Sequence, residues 1–247
     1  MSEDEQFNQA FGEHTGIDDE VRGYINFIKD NNSDTNELVL RSNDTDGFTD
    51  IAWRLLGKYI ANNEHLYRLD LDESGLTDEK MTLLFKELTS STSLQRLDID
   101  CNEFSIDGVR SIVPLLQNSR NLSTLYMGAN TNIDTECFEV LVRALNGTSV
   151  KELHLCNCSI TDISVLETYN LPNLKELILN ANNIGIEGCI TISNLLQKKD
   201  TSLTELYLGT TGIDVEGVKI IANSLKHNNT LKVLNLQQNG VTEEGYK

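Results

Sequence analysis

No stretch of this chain approaches the roughly 20 consecutive apolar residues of a membrane span, and no apolar run near its start resembles a signal peptide. Basic residues are scarce: 20 lysines and arginines stand against 38 acidic residues, a formal net charge of -18. That balance argues against a nucleic-acid or anionic-membrane surface and favours another protein, with a basic or neutral face, as partner. Cysteine is sparse and odd in number, at Cys101, Cys137, Cys156, Cys158 and Cys189, with no cysteine-rich flanking segments, so reduced thiols in a cytoplasmic setting are expected. There is also no phosphate-cradling glycine loop, no H-E-x-x-H helix and no zinc ligand set. Catalytic residues, cofactors and metals are therefore not expected, and the chain does not read as an enzyme. His154 and Cys156 share a strand face, yet about 6.6 Å of backbone spacing suits a nucleophile and base poorly. Cys156 and Cys158 make no clamp for a metal, because Cys158 occupies a structural column of the repeat.

What the chain does have is periodicity. Apolar residues at positions one, four and six, then Asn, Cys, Ser or Thr at nine, recur from Leu66, Leu94, Leu122, Val150, Leu174, Leu203 and Leu231, in steps of 28, 28, 28, 24, 29 and 28 residues. Position four reads Leu69, Leu97, Leu125, Leu153, Leu177, Leu206 and Leu234; position six reads Leu71, Ile99, Met127, Leu155, Leu179, Leu208 and Leu236. Alternate side chains of a short strand share a face, so these two columns define a core. Position nine, Ser74, Asn102, Asn130, Cys158, Asn182, Thr211 and Asn239, supplies small polar groups where the chain leaves the strand. After most strands come apolar residues at helical spacing, such as Met81, Leu84, Phe85 and Leu88, or Val109, Ile112, Val113 and Leu116. Glycines just ahead of such helices, Gly108, Gly188 and Gly217, with Gly245 in the same place in the last unit, are expected to let helix pack closely against strand layer. The unit from Val150 is short, and Thr161 to Pro172 leaves room for little helix.

In this register and period the chain resembles the leucine-rich repeat proteins, in particular the ribonuclease-inhibitor-like class. The resemblance covers about residues 35 to 247. It extends to the repeat regions of NLR receptors, of Ran GTPase-activating proteins and of tropomodulin-like actin cappers. It implies an α/β leucine-rich repeat solenoid, a horseshoe with a parallel sheet on the concave face and helices on the convex face. For function it implies a protein-protein interaction module that uses the concave sheet. Two alternatives stay open, a regulator of a small GTPase resembling the activator group and the sensing-array fragment of a larger receptor.

Residues 1–34 read as an acidic N-terminal helical cap, with Val21, Tyr24, Ile25 and Ile28 as its apolar set, and Met1 to about Gly16 is expected to fray. Residues 35–247 form the repeat domain: one degenerate unit marked by Leu38, Leu40 and Asn43, then the seven units above, the last incomplete. The missing polar cap after Lys247 predicts a truncated array, or an exposed end around Leu234, Leu236, Val241 and Tyr246 that pairs end to end with another copy.

Positions three, five and seven of each strand face away from the core and carry the candidate sites. Asp70, Asp72, Asp98 and Asp100 form an acidic square on two neighbouring strands. Arg68 and Arg96 on the same strands would neutralise it, or a Lys- or Arg-bearing partner segment would, or a hard cation such as Ca²⁺. Tyr126, His154, Ile178 and Tyr207 make a second zone, bordered by Gly128 and Gly209, with the composition of a protein-binding hot spot. Aromatic and β-branched residues also suit a sheet surface for its own sake.

Overall fold

A computed structural model describes residues 1–240; Val241, Gly245, Tyr246 and Lys247, which enter the expectations for the C-terminal end, lie outside the described residues. Two compact units divide the chain, Met1–Leu125 and Tyr126–Lys247.

The first unit begins with a helix where fraying was expected. Helix α1, Glu3–Phe11, is closed by a capping box in which Glu5 N donates to Ser2 Oγ (3.1 Å) and Ser2 N donates to Glu5 Oε2 (2.6 Å). Phe7 and Phe11 are buried; Phe11 stacks edge-on to Phe48 at 5.5 Å, and Phe48 meets Trp53 at 5.2 Å. These aromatic contacts offset the polar, acidic character that suggested disorder. Helix α2, Asp19–Lys29, starts at the Asp18 cap and buries Val21, Ile25 and Ile28. Tyr24, expected in that set, is exposed instead, on the helix flank where its hydroxyl reaches Glu20.

Strand β1, Glu37–Val39, buries Leu38, with Leu40 beyond it. A short helix α3, Ser42–Thr45, follows; Asn43 is exposed there and Thr45 takes the inward role, its Oγ1 donating to Ser74 O at 3.0 Å. Then come α4 (Asp50–Asn62), β2 (Arg68–Asp70), α5 (Asp78–Glu87), β3 (Arg96–Asp98) and α6 (Ile106–Asn118), the last running through Pro114. Strand β4, Thr124–Tyr126, lies where the two units meet in sequence. The second unit continues with α7 (Thr135–Leu145), β5 (Glu152–His154), α8 (Val165–Thr168), β6 (Glu176–Ile178), α9 (Gly185–Gln197), β7 (Glu205–Tyr207), α10 (Val215–Leu225) and β8 (Val233–Asn235). The four-residue α8 is the reduced helix that the 24-residue repeat and Pro172 allow.

All the strand pairs are parallel and neighbours follow chain order, β1-β2-β3 in the first unit and β5-β6-β7-β8 in the second. Position-four and position-six residues from Leu69 to Leu208 are 0% exposed, so the alternation read from sequence is the core; Leu234 and Leu236 are only half-buried. Asparagine at position nine ties its repeat to the one before at Asn102, Asn182 and Asn239, whereas Ser74 and Thr211 bond the carbonyl of their own repeat, Leu71 O and Leu208 O. Asn182 Nδ2 donates to Leu179 O (3.0 Å) in its own repeat and to Leu155 O (2.7 Å) in the previous one, while its Oδ1 accepts from Ile160 N (3.1 Å). Asn102 and Asn239 repeat this arrangement on Leu71 and Leu76, and on Leu208 and Ile213. Where the column reads Cys158, the link is a long contact from Sγ to Met127 O at 3.6 Å.

Position eight, just ahead of this ladder, is left-handed in the seven regular repeats: Glu73, Cys101, Ala129, Asn157, Ala181, Thr210 and Gln238 have φ between 52° and 57°. No glycine marks the column, so the pattern was invisible in the sequence. The glycines expected ahead of the helices lie inside them, Gly108 in α6, Gly188 in α9 and Gly217 in α10, and serve a different contact from the one expected. A Cβ on Gly108 would lie 2.6 Å from Phe104 Cβ and 2.8 Å from Asp78 Oδ1, and one on Gly217 would lie 2.7 Å from Cys189 Sγ. They admit the preceding loop and the neighbouring helix, not the strand layer.

Candidate functional site

In the first unit the register pairs Asp70 with Asp98, the last residues of β2 and β3, and Asp72 and Asp100 lie two residues beyond the ends of these strands. The members of the acidic square are not equivalent. Asp70 is 2% exposed and lies between two guanidinium groups: Arg41 Nη1 donates to Oδ1 and Arg68 Nη2 to Oδ2, both at 2.6 Å. Burial works against its ionisation, but the Arg41 hydrogen bond, the Asp72 backbone amide and the two arginine charges outweigh that and hold its carboxyl below the usual range. Arg68 also reaches Glu37 Oε2 at 3.2 Å, and Arg41 comes within 3.9 Å of Asp72. Asp98, 9% exposed, accepts a long backbone contact from Asp100 N at 3.4 Å. Burial, and after it the Asp70 charge, push its carboxyl up, with the Asp100 amide and Arg96 opposing. Among the described residues no group of three His, Cys, Asp or Glu side chains is arranged to hold a metal ion. Asp70 is thus neutralised by Arg68, as expected, and equally by Arg41, the position-seven residue of the degenerate repeat.

In the second unit, register places His154, Ile178, Tyr207 and Asn235 side by side across β5 to β8. The Tyr126 and His154 rings lie 4.1 Å apart at 60°. Tyr126, His154, Ile178 and Tyr207 are each half-buried, while the leucines that alternate with them are sealed. A second row runs beside this one at position three: Glu152, Glu176 and Glu205 are in register. His154 Nε2 lies 3.2 Å from Glu176 Oε1, and Tyr207 Oη donates to Glu205 Oε2 at 2.9 Å. Burial, then the Glu152 and Glu205 charges, push the Glu176 carboxyl up. Gly209 sits where a Cβ would lie 3.1 Å from Asn180 Oδ1, and Gly128 where one would lie 2.6 Å from Cys156 Sγ, so at both glycines the space of a side chain is taken by the neighbouring strand's residue.

Family models for leucine-rich repeats match residues 148–197, as two copies, and residues 90–113 and 227–247. The repeats they mark are those whose strands, ladder and core are described above. This chain carries leucine-rich repeats. No curated protein matches its sequence. Among solved structures it is similar to the actin-binding site 2 of leiomodin-1, at 13% identity and a TM-score of 0.45 over 56% of this chain and 78% of that one. The tropomodulin C-terminal domain of Caenorhabditis elegans gives 14% and 0.46 over 59% and 86%. An internalin of Listeria monocytogenes gives 23% and 0.45 over 75% and 52%.

For a leucine-rich repeat chain the position-three column was the informative one left unread. Its signal was available: Glu152, Glu176 and Glu205 open three successive Glu-Leu pairs at the same repeat position. Arg41 was legible in the same way, once Leu38 and Leu40 fix the register of the degenerate repeat.

Proposed function

We propose that the protein is a protein-interaction module that binds a partner protein through the solvent-facing side of its repeat sheet, with Tyr126, His154, Ile178 and Tyr207 as the contact row. The observation that carries this reading is the contrast within single strands: Leu153, Leu177 and Leu206 are wholly buried, while the neighbouring ring and aliphatic side chains lie half-open on the other face. Rings of this kind give large contact area at low entropy cost. Asp70 is a weaker contact candidate, because its charge is already matched by Arg41 and Arg68. Five free cysteines support a reducing, cytoplasmic setting for the interaction.

The test is affinity capture with the native chain and with a Tyr126→Ala, Tyr207→Ala variant, followed by titration of the purified captured protein. Binding lost in the variant at unchanged melting temperature supports the reading. Equal affinity for both chains overturns it. A GTP-hydrolysis assay on any captured GTPase separates simple binding from a regulatory role.

A further inference from the structure

The second unit presents two parallel rows on one sheet face, and their chemistry differs. Glu152, Glu176 and Glu205 form a carboxylate row; two residues further along each strand, His154, Ile178 and Tyr207 form a ring and aliphatic row. We infer that the partner segment is a basic amphipathic α-helix lying across β5, β6 and β7, with Lys or Arg side chains on the glutamate row and apolar side chains on the His154–Ile178–Tyr207 row. The inference rests on the sheet-face reading and adds the chemistry of what binds there.

Spacing selects the helix. Adjacent strands are about 4.8 Å apart, so the three carboxylates step by about 4.8 Å and span about 9.6 Å. A helix rises 1.5 Å per residue, which puts side chains at i, i+3 and i+7 about 4.5 and 10.5 Å along its axis, on one stripe. An extended segment steps about 6.6 Å between same-side residues, which drifts out of register after one glutamate, and it presents a single row rather than two. The two rows lie about 6.6 Å apart, within the width of one helix of about 10 Å diameter.

Charge selects the sign. The chain carries a formal net charge of -18, and Glu176 sits between two other carboxylates in register with it. A cation over the row removes that repulsion, whereas an anionic or neutral polar partner leaves it. Steering by the same field speeds encounter with a basic segment and weakens with added salt.

The experiment uses three synthetic peptides of about 16 residues. One is an Ala-rich helix with Lys at i, i+3 and i+7 and Leu at i+1, i+4 and i+8; the second has the same composition scrambled; the third is a basic, Val- and Thr-rich extended peptide. Each is titrated into the native chain, a Glu152→Gln, Glu176→Gln, Glu205→Gln variant and the Tyr126→Ala, Tyr207→Ala variant, with melting temperature as the check on folding. The expected result is preferential binding of the patterned helix, weakened about tenfold or more by the glutamine variant and by high salt. Equal binding of the scrambled peptide, preference for the extended one, or no binding of the patterned helix overturns the inference. The captured partner distinguishes the two readings: a partner lost with the tyrosine variant and retained by the glutamine variant leaves the sheet-face reading standing and removes the basic helix. A partner retained by both removes both.

Discussion

Glu176 Oε1 lies 3.2 Å from His154 Nε2, on the same sheet face as two further carboxylates at the same repeat position. Burial, followed by the charges of Glu152 and Glu205, raises the Glu176 carboxyl above its ordinary value. A raised carboxyl binds more protons in the folded than in the unfolded state, so its ionisation lowers stability as pH rises through the folded value. Glu176→Gln is therefore expected to raise the melting temperature at pH 8, with the gain shrinking to nothing below the carboxylate range. A melting series from pH 3 to 8 on both proteins checks this; an equal or lower melting temperature for the variant at pH 8 contradicts it.

Asp70 and Asp98 occupy the same repeat position and should respond oppositely to the same substitution. Asp70, buried between Arg41 and Arg68, has a depressed carboxyl, so its contribution is present above the unfolded value and lost as pH falls through the folded one. Asp70→Asn leaves two arginines short of a partner and is expected to cost about 3 kcal/mol at neutral pH. Asp98 has a raised carboxyl, so Asp98→Asn is expected to be neutral or stabilising there, with no difference at low pH. Urea unfolding of the two variants at pH 7 and pH 3 reads both signs.

Asn182 is expected to be among the costliest single positions in the second unit. Asn182→Ala removes hydrogen bonds to Leu155 O, Leu179 O and Ile160 N and strands buried backbone groups of two repeats. At about 1–3 kcal/mol per stranded group, a loss of about 3 kcal/mol or more is expected. Denaturant midpoints at unchanged slope measure it.

Ala181, immediately before that asparagine, has φ of 56° and is exposed. A left-handed L-residue costs about 1–2 kcal/mol, and glycine costs about 0.5–1 kcal/mol through chain entropy, so Ala181→Gly is expected to stabilise by about 0.5–1 kcal/mol. Ala129→Gly, at the same repeat position with φ of 52°, should behave alike, and thermal unfolding of either variant tests the column.

The core was legible because burial acts on every repeat alike, so Leu69 to Leu208 reappear at fixed spacing. Features that depend on one contact were not. The α1 helix is held by Phe7 and Phe11 against aromatic rings far along the chain, and no local pattern announces such a contact. The left-handed column carries Glu, Cys, Ala, Asn, Thr and Gln, because the surrounding ladder of hydrogen bonds imposes the conformation whatever the side chain. The acidic square was legible as a set of positions, and so was Arg68 as a neutralising residue, whereas Arg41 is legible only once Leu38 and Leu40 fix the register of a repeat whose pattern has decayed. The glutamate row was legible too, and only reading the position-three column would have brought it forward.

The single cysteine in the ladder has a kinetic consequence. Repeats are joined only to their neighbours, so a weaker joint opens ahead of a stronger one. At Cys158 the link back to Met127 is a thiol contact at 3.6 Å, where Asn182 makes two carbonyl bonds at 2.7 and 3.0 Å. Amide hydrogens around Met127 and Ile133 are therefore expected to exchange with solvent sooner than those around Leu155 and Leu179, and Cys158→Asn to slow them, fusing two cooperative segments into one.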